Sequence, residues 1–202
     1  LTVIFIVIAP LLGMTIGFFF MSLILNVIVK TKRFGAGTSK LFGRLQLISS
    51  AIYSLGHGSN DAQKTAGIIA VLLFSTGFLS TFHVPFWVIV LSYTTIALGT
   101  LVGGWRVVRT MGMRITKLKT PHGFAAETTG GILLFGTALA GIPVSTTHTI
   151  AGSIIGVGAT RSLSAVRWGV ARRIVVAWAV TIPLTALVAG GIYLLFGAFG
   201  VI

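Results

Sequence analysis

Gly56-His57-Gly58-Ser59-Asn60-Asp61-Ala62-Gln63-Lys64-Thr65-Ala66-Gly67 interrupts a hydrophobic stretch that otherwise runs from about Leu45 to Phe74. The segment holds one of the two acidic residues of the chain and the single lysine that lies outside its basic loops. A hydrocarbon core offers a carboxylate or an ammonium no hydration, so Asp61 and Lys64 at membrane depth must face a cavity, a partner or a transported ion. Gly56, Gly58 and Gly67 permit the backbone to leave helical geometry, and a broken helix would release N–H and C=O groups for binding. A discontinuous helix is therefore expected here.

The surrounding composition fixes the class. Of 202 residues, 55% are hydrophobic and 8% charged, with a net charge of +13, and the mean hydropathy is +1.03. An all-α integral membrane protein is the expectation. The basic residues sit in short clusters between apolar runs, which reads as loops on the cytoplasmic face and excludes nucleic acid as the partner. Cysteine is absent, so disulfides and thiolate metal sites are excluded. Leu1-Thr2-Val3 opens within an apolar run and not like a signal peptide, which suggests a fragment.

About 20 apolar residues cross a hydrocarbon core of about 30 Å. That length places spans at about 1–29, 45–78, 86–104 and 174–196 within a single membrane domain covering 1–202. Pro10, Gly13 and Gly17 are candidate kink points in the first span. Fourteen of the fifteen basic residues fall in three clusters, at Lys30, Lys32, Arg33, Lys40 and Arg44, at Arg106, Arg109, Arg114, Lys117 and Lys119, and at Arg161, Arg167, Arg172 and Arg173. All three then lie on the cytoplasmic side of the membrane, with both termini outside. The second cluster alternates with apolar residues and reads as an interfacial helix on anionic lipid.

Parity makes the segment 123–160 enter the membrane and return to the same face. Its arms, Gly123–Ile142 and Thr149–Thr160, are about 30 Å and about 18 Å long at 1.5 Å per residue, which favours a re-entrant hairpin over two full spans. Pro143-Val144-Ser145-Thr146-Thr147-His148 forms the turn. Proline breaks the helix and Ser or Thr caps the next one, so the amides and the positive end of the second arm make an anion site.

The groups that can carry chemistry are few. Asp61 and Lys64 are three residues apart and can pair on one helical face as a structural ion pair. The neighbouring His57, Ser59, Asn60, Gln63 and Thr65 exceed what such a pair needs. Asn60, Asp61 and freed carbonyls are oxygen ligands suited to a small hard cation, completed by Ser59 or Thr65, which makes Asp61 a coupling-ion ligand. His57 either carries a proton or braces a helix end. Glu127 is an interfacial carboxylate or, brought in by the hairpin, a second group of the same cavity. No metal-hydrolase helix, nucleophile elbow or phosphate-binding nucleotide loop occurs, so no enzyme and no cofactor is expected.

His57-Gly58-Ser59-Asn60-Asp61 is similar to the HGxND motif of the inorganic phosphate transporter (PiT) family of sodium- or proton-coupled permeases. Gly141-Ile142-Pro143-Val144-Ser145-Thr146-Thr147-His148 resembles that family's G-x-P-V-S-T-T-H, and Gly123-Phe124-Ala125-Ala126-Glu127 its segment ahead of the turn. The resemblance implies one half, the C-terminal repeat, of an inverted-repeat symporter, with the other repeat or a second copy as partner. It implies phosphate between the two repeats, with functional weight on His57, Asn60, Asp61, Glu127, Ser145 and Thr146. Taken with the reading of the residues, phosphate is expected at Asn60, Ser145, Thr146 and Thr147, a coupling ion, Na⁺ or H⁺, at Asp61, Glu127 and Asn60, and support from His57, Ser59, Gln63, Lys64, Thr65 and His148. Another oxyanion such as sulfate, or a membrane subunit that transports nothing, are the alternatives.

Overall fold

The computed structural model describes residues 2–30 and 36–199, and every element in it is helical. Lys32, Arg33 and Gly35 of the first basic cluster and the last residues, 200–202, lie outside the described residues, as does the Lys30 side chain. The helices are α1 (Thr2–Lys30), α2 (Ala36–Ser75), α3 (Phe86–Arg109), α4 (Thr120–Leu139), α5 (Thr146–Ala159) and α6 (Trp168–Ala198). By their contacts the residues divide into two compact units, Leu1–Val166 and Arg167–Ile202. The second consists mainly of α6, a 31-residue helix with Pro183 inside it.

Among the described residues three stretches are long and apolar enough to cross a bilayer: Val3–Ile28, Phe86–Arg114 and Trp168–Ala198. Leu101, Val102 and Leu187, each at least 74% exposed in the isolated chain, show the apolar faces that lipid or another protein surface covers. The chain is an integral membrane protein.

The discontinuous helix expected at Gly56–Gly67 is not found. The structure instead carries α2 unbroken through the motif for 40 residues. A glycine in a helix interior costs only about 1 kcal/mol relative to alanine, and of the three motif glycines Gly56 is used for packing while nothing lies within 4 Å of a Cβ at Gly58 or Gly67. Gly56 lies against the Phe135 ring of α4, and Gly130 of α4 lies against the Tyr53 ring of α2. Gln46, Ser49, Tyr53, His57, Asn60, Asp61 and Lys64 recur at three- and four-residue intervals, which puts them on one face of a straight helix. The motif is a polar stripe.

The break falls between α4 and α5. Ala140 ends α4, and the amide of Ile142 donates to Thr137 O at 2.8 Å while that of Gly141 donates to Ala138 O at 3.0 Å. This is the Schellman arrangement, which needs a residue in the left-handed region after the cap, and Gly141 supplies it with φ +66°. Pro143 then prevents resumption of the helix. Ser145 restarts it as the N-cap of α5, its Oγ accepting from the His148 amide at 3.3 Å.

The α4–α5 hairpin is held between α1 and α2. Gly13 and Gly17, read as candidate kink points, lie within an unbroken α1 and face α5: a Cβ at Gly13 would stand 2.6 Å from Thr149 O, and one at Gly17 would stand 2.9 Å from Ser153 O. Gly152 and Gly156 reciprocate, with Pro10 O and Met14 O occupying the space of a Cβ. Small residues four apart on both helices let the backbones approach closely, where dispersion between many atom pairs replaces the hydrophobic drive that lipid cannot supply.

The helix expected over 106–119 is found in part, as a continuation of α3. α3 continues to Arg109 and passes through a π-helical turn at Thr110–Arg114, and Ile115 and Thr116 then turn inward, at 0% and 2% exposure. Of the stripe's apolar residues Met111 and Ile115 are buried, while Val107, Val108 and Met113 stay exposed. The Thr116 hydroxyl donates to Ala165 O at 3.1 Å and Arg161 to Lys117 O at 3.4 Å, so the two ends of the hairpin lie side by side.

Candidate functional site

Asp61 is the centre of the polar stripe. Its Oδ2 lies 3.0 Å from His57 Nε2, one helical turn back, and accepts from the Thr146 hydroxyl at 3.1 Å. Its Oδ1 lies 3.2 Å from the Lys64 ammonium, and that ammonium donates to Val144 O at 2.6 Å. Two charges on α2 thereby clamp the turn between α4 and α5. Val144 is fixed for this role by a small buried cluster with Ala9 and Leu134, flanked by Phe5, Tyr53 and Ile142.

Over this pair opens a cleft of about 370 Å³, lined by Ile6, Asp61, Lys64 and the turn residues Pro143, Val144, Ser145, Thr146 and Thr147. Among the α5 amides, that of His148 is taken by Ser145 Oγ and that of Thr149 by Ser145 O. The amides of Thr146 and Thr147 precede these and are the orphan donors of a helix start. The cleft therefore gathers an ammonium, hydroxyls and a positive helix end, a donor set that suits an anion rich in acceptor oxygens.

The sequence-derived residues divide accordingly. Asp61, Lys64, Ser145, Thr146 and Thr147 line the cleft, and His57 reaches it through Asp61. His148 braces the turn, its Nδ1 lying 3.3 Å from Ile6 O of α1. Asn60 turns away: it is 7% exposed and its amide donates to Leu134 O at 3.4 Å, tying α2 to α4. Thr65 bonds back to Asp61 O at 3.2 Å, as hydroxyls in helices commonly do, and Gln63 is exposed. Neither they nor Ser59 line the cleft.

Glu127 is not brought into it either. It stands near the start of α4, whereas the turn follows the other end of that 20-residue helix. Ser49 donates to Glu127 Oε2 at 2.7 Å, and Gln46 forms a further side-chain hydrogen bond. Ser49 precedes Asp61 by twelve residues, about 18 Å along α2 at 1.5 Å per residue. Sequence reasoning missed Ser49, Gln46 and Tyr53. The Tyr53 hydroxyl reaches Thr146 O at 3.5 Å, and its ring centroid lies 5.9 Å from that of His57. Their signal was the helical spacing of the stripe.

A polar cleft of this kind, walled by helices whose other faces are apolar, defines the class: an all-helical membrane protein with a polar cleft at a helix break. Residues 1–189 match the phosphate transporter family. The chain belongs to that family. It is 54% identical over 189 residues to a Rhizobium meliloti protein named "Probable low-affinity inorganic phosphate transporter", covering 93% of this chain and 56% of the relative. A Bacillus subtilis protein of the same name is 38% identical, over 89% of this chain and 54% of its own length. Among solved structures, a sodium-dependent phosphate transporter matches with a TM-score of 0.71 and 26% identity, over 90% of this chain and 62% of that one. The chain thus spans about half the length of the curated relatives it matches. Those relatives are transporters and not enzymes.

Proposed function

We propose that this chain is one repeat, the C-terminal one, of a cation-coupled phosphate transporter, a single membrane domain across 1–202 that works against an opposing repeat or a second copy. The observation that carries the reading is the helix break at Pro143–Thr147, which opens the start of α5 onto Lys64 and Asp61. Hydrogen phosphate sits there on the amides and hydroxyls of Ser145, Thr146 and Thr147, while Asn60 holds α4 in register. Asp61 and Glu127 are the carboxylates that answer to the coupling cation, Na⁺ or H⁺. A cation lowers the cost of bringing phosphate into low dielectric, and that mutual stabilisation is the coupling. The α4–α5 pair acts as a re-entrant hairpin, with arms of about 30 Å and about 21 Å at 1.5 Å per residue.

The test is uptake of labelled phosphate by the full-length protein in proteoliposomes, with excess sulfate as competitor. Saturable uptake that sulfate leaves unchanged is expected. Equal competition by sulfate would make the cleft a general oxyanion site, and no uptake would leave a subunit that transports nothing.

Orientation follows from the basic clusters, with these on the cytoplasmic face of a bacterial inner membrane and both termini outside. Cysteine replacing Ser80, after α2, is expected to react in intact cells with an impermeant thiol reagent, whereas cysteine replacing Ser164 is expected to react only after permeabilisation. Both positions are exposed. Reaction of the Ser164 variant in intact cells inverts the topology.

A further inference from the structure

We propose that the ammonium of Lys64 is the resident cation of Asp61, so that this repeat takes no sodium ion at that carboxylate. The inference rests on the transport reading and narrows it. A sodium ion is bound by converging oxygen lone pairs, in transporters those of carboxylates and freed backbone carbonyls. Around Asp61 the carboxylate and carbonyl oxygens that converge from different elements include its own Oδ1, on α2, and Val144 O, in the turn. Both are taken by Lys64, at 3.2 Å and 2.6 Å. Oδ2 faces two further polar groups, His57 Nε2 at 3.0 Å and the donating Thr146 hydroxyl at 3.1 Å. The surroundings of the carboxylate present donors where a metal ion needs acceptors. A second positive charge placed within a few ångströms of the ammonium would also meet repulsion that poorly hydrated surroundings do not screen.

The position of Lys64 is a property of the helix. Residues three apart share a face, and α2 runs unbroken through both Asp61 and Lys64. A tethered cation is always present, whereas a sodium ion must be captured from solution at an entropic cost. The same ammonium lines the cleft beside the α5 amides, so phosphate meets a fixed positive charge there without a bound metal ion. Glu127 has a different environment. Its hydrogen-bond partners are the neutral side chains of Ser49 and Gln46, and among the described residues no ion pair is formed with it. Of the two carboxylates, Glu127 is therefore the one open to a sodium ion, while Asp61 is left to the ammonium and, for a proton-coupled step, to H⁺.

Binding of radioactive sodium to the purified full-length protein, at fixed pH and without phosphate, tests this directly. Asp61→Asn keeps the shape of the side chain and is expected to bind as many sodium ions as the unaltered protein. Lys64→Ala is expected to gain one sodium ion per chain, and the double variant Asp61→Asn, Lys64→Ala to lose that gain. Phosphate affinity in Lys64→Ala should fall ~tenfold or more in sodium-free buffer and recover as sodium is added. Loss of a sodium ion in Asp61→Asn overturns the proposal, as does a Lys64→Ala protein that gains none. If Lys64→Ala does not fold, the Asp61→Asn comparison decides alone. Phosphate uptake by the unaltered protein is scored separately: its absence defeats the transport reading while the sodium counts still decide the role of Lys64.

Discussion

Replacing Gly156 by valine is expected to prevent the full-length protein from reaching a stable folded state, at a cost of about 3 kcal/mol or more. Met14 O of α1 stands where the first side-chain carbon would be built, and Pro10 O stands in the same relation to Gly152 one turn away. Backbone oxygens of a helix cannot swing aside as a side-chain end can, so the whole of α1 would have to lift off α5. The crossing that orients the hairpin would open along its length, and the His148 contact to Ile6 O that braces the turn would go with it. Thermal unfolding in detergent and the yield of monodisperse protein measure the effect. Gly99→Ala on α3 is the control, because nothing lies within 4 Å of a Cβ there, and the change is expected to be neutral or stabilising by up to about 1 kcal/mol. A Gly156→Val protein that melts with the unaltered one would mean that α1 and α5 do not cross at these glycines.

The membrane class, the helices and the turn were legible because each rests on local chemistry. Apolar runs bounded by lysine and arginine give helices, and Pro143 followed by Ser145 gives a stop and a restart. Asp61 and Lys64 stood out because bilayer physics makes any charge in such a run expensive. The reading failed where glycine has two uses. Gly56 and Gly58 beside polar residues look like a break, yet here Gly56 admits the Phe135 ring, and the polar residues keep helical spacing from Gln46 to Lys64. Counting that spacing would have favoured a straight helix. What no local pattern carries is pairing at a distance. Ser49 with Glu127, 78 residues apart, and Lys64 with Val144, 80 apart, depend on how α2 lies against α4. The expectation that Glu127 joins the cleft failed for that reason.

Ser145→Asp is expected to weaken phosphate binding by the full-length protein at least ~100-fold while leaving its melting temperature nearly unchanged. Ser145 has two functions that a simple deletion would confuse. As the N-cap of α5 its Oγ accepts from the His148 amide at 3.3 Å, and it lines the cleft, where in the proposed function its hydroxyl hydrogen is offered to phosphate. Alanine removes both, at about 1 kcal/mol for the cap and about 1.5 to 3 kcal/mol for a hydrogen bond to a charged group. Aspartate separates them. It caps a helix as well as serine does, but it places a second carboxylate beside Asp61 and against phosphate, and juxtaposed like charges cost several kcal/mol. At 1.4 kcal/mol per tenfold, about 3 kcal/mol gives the hundredfold loss. Calorimetric titration of phosphate into Ser145→Asp, with Ser80→Ala in the loop after α2 as control, measures binding, and thermal unfolding of the same samples reports the cap. Retained affinity in a folded Ser145→Asp protein would move the anion away from the start of α5. Lost affinity together with a large drop in melting temperature would show that the turn serves the fold and not the ligand.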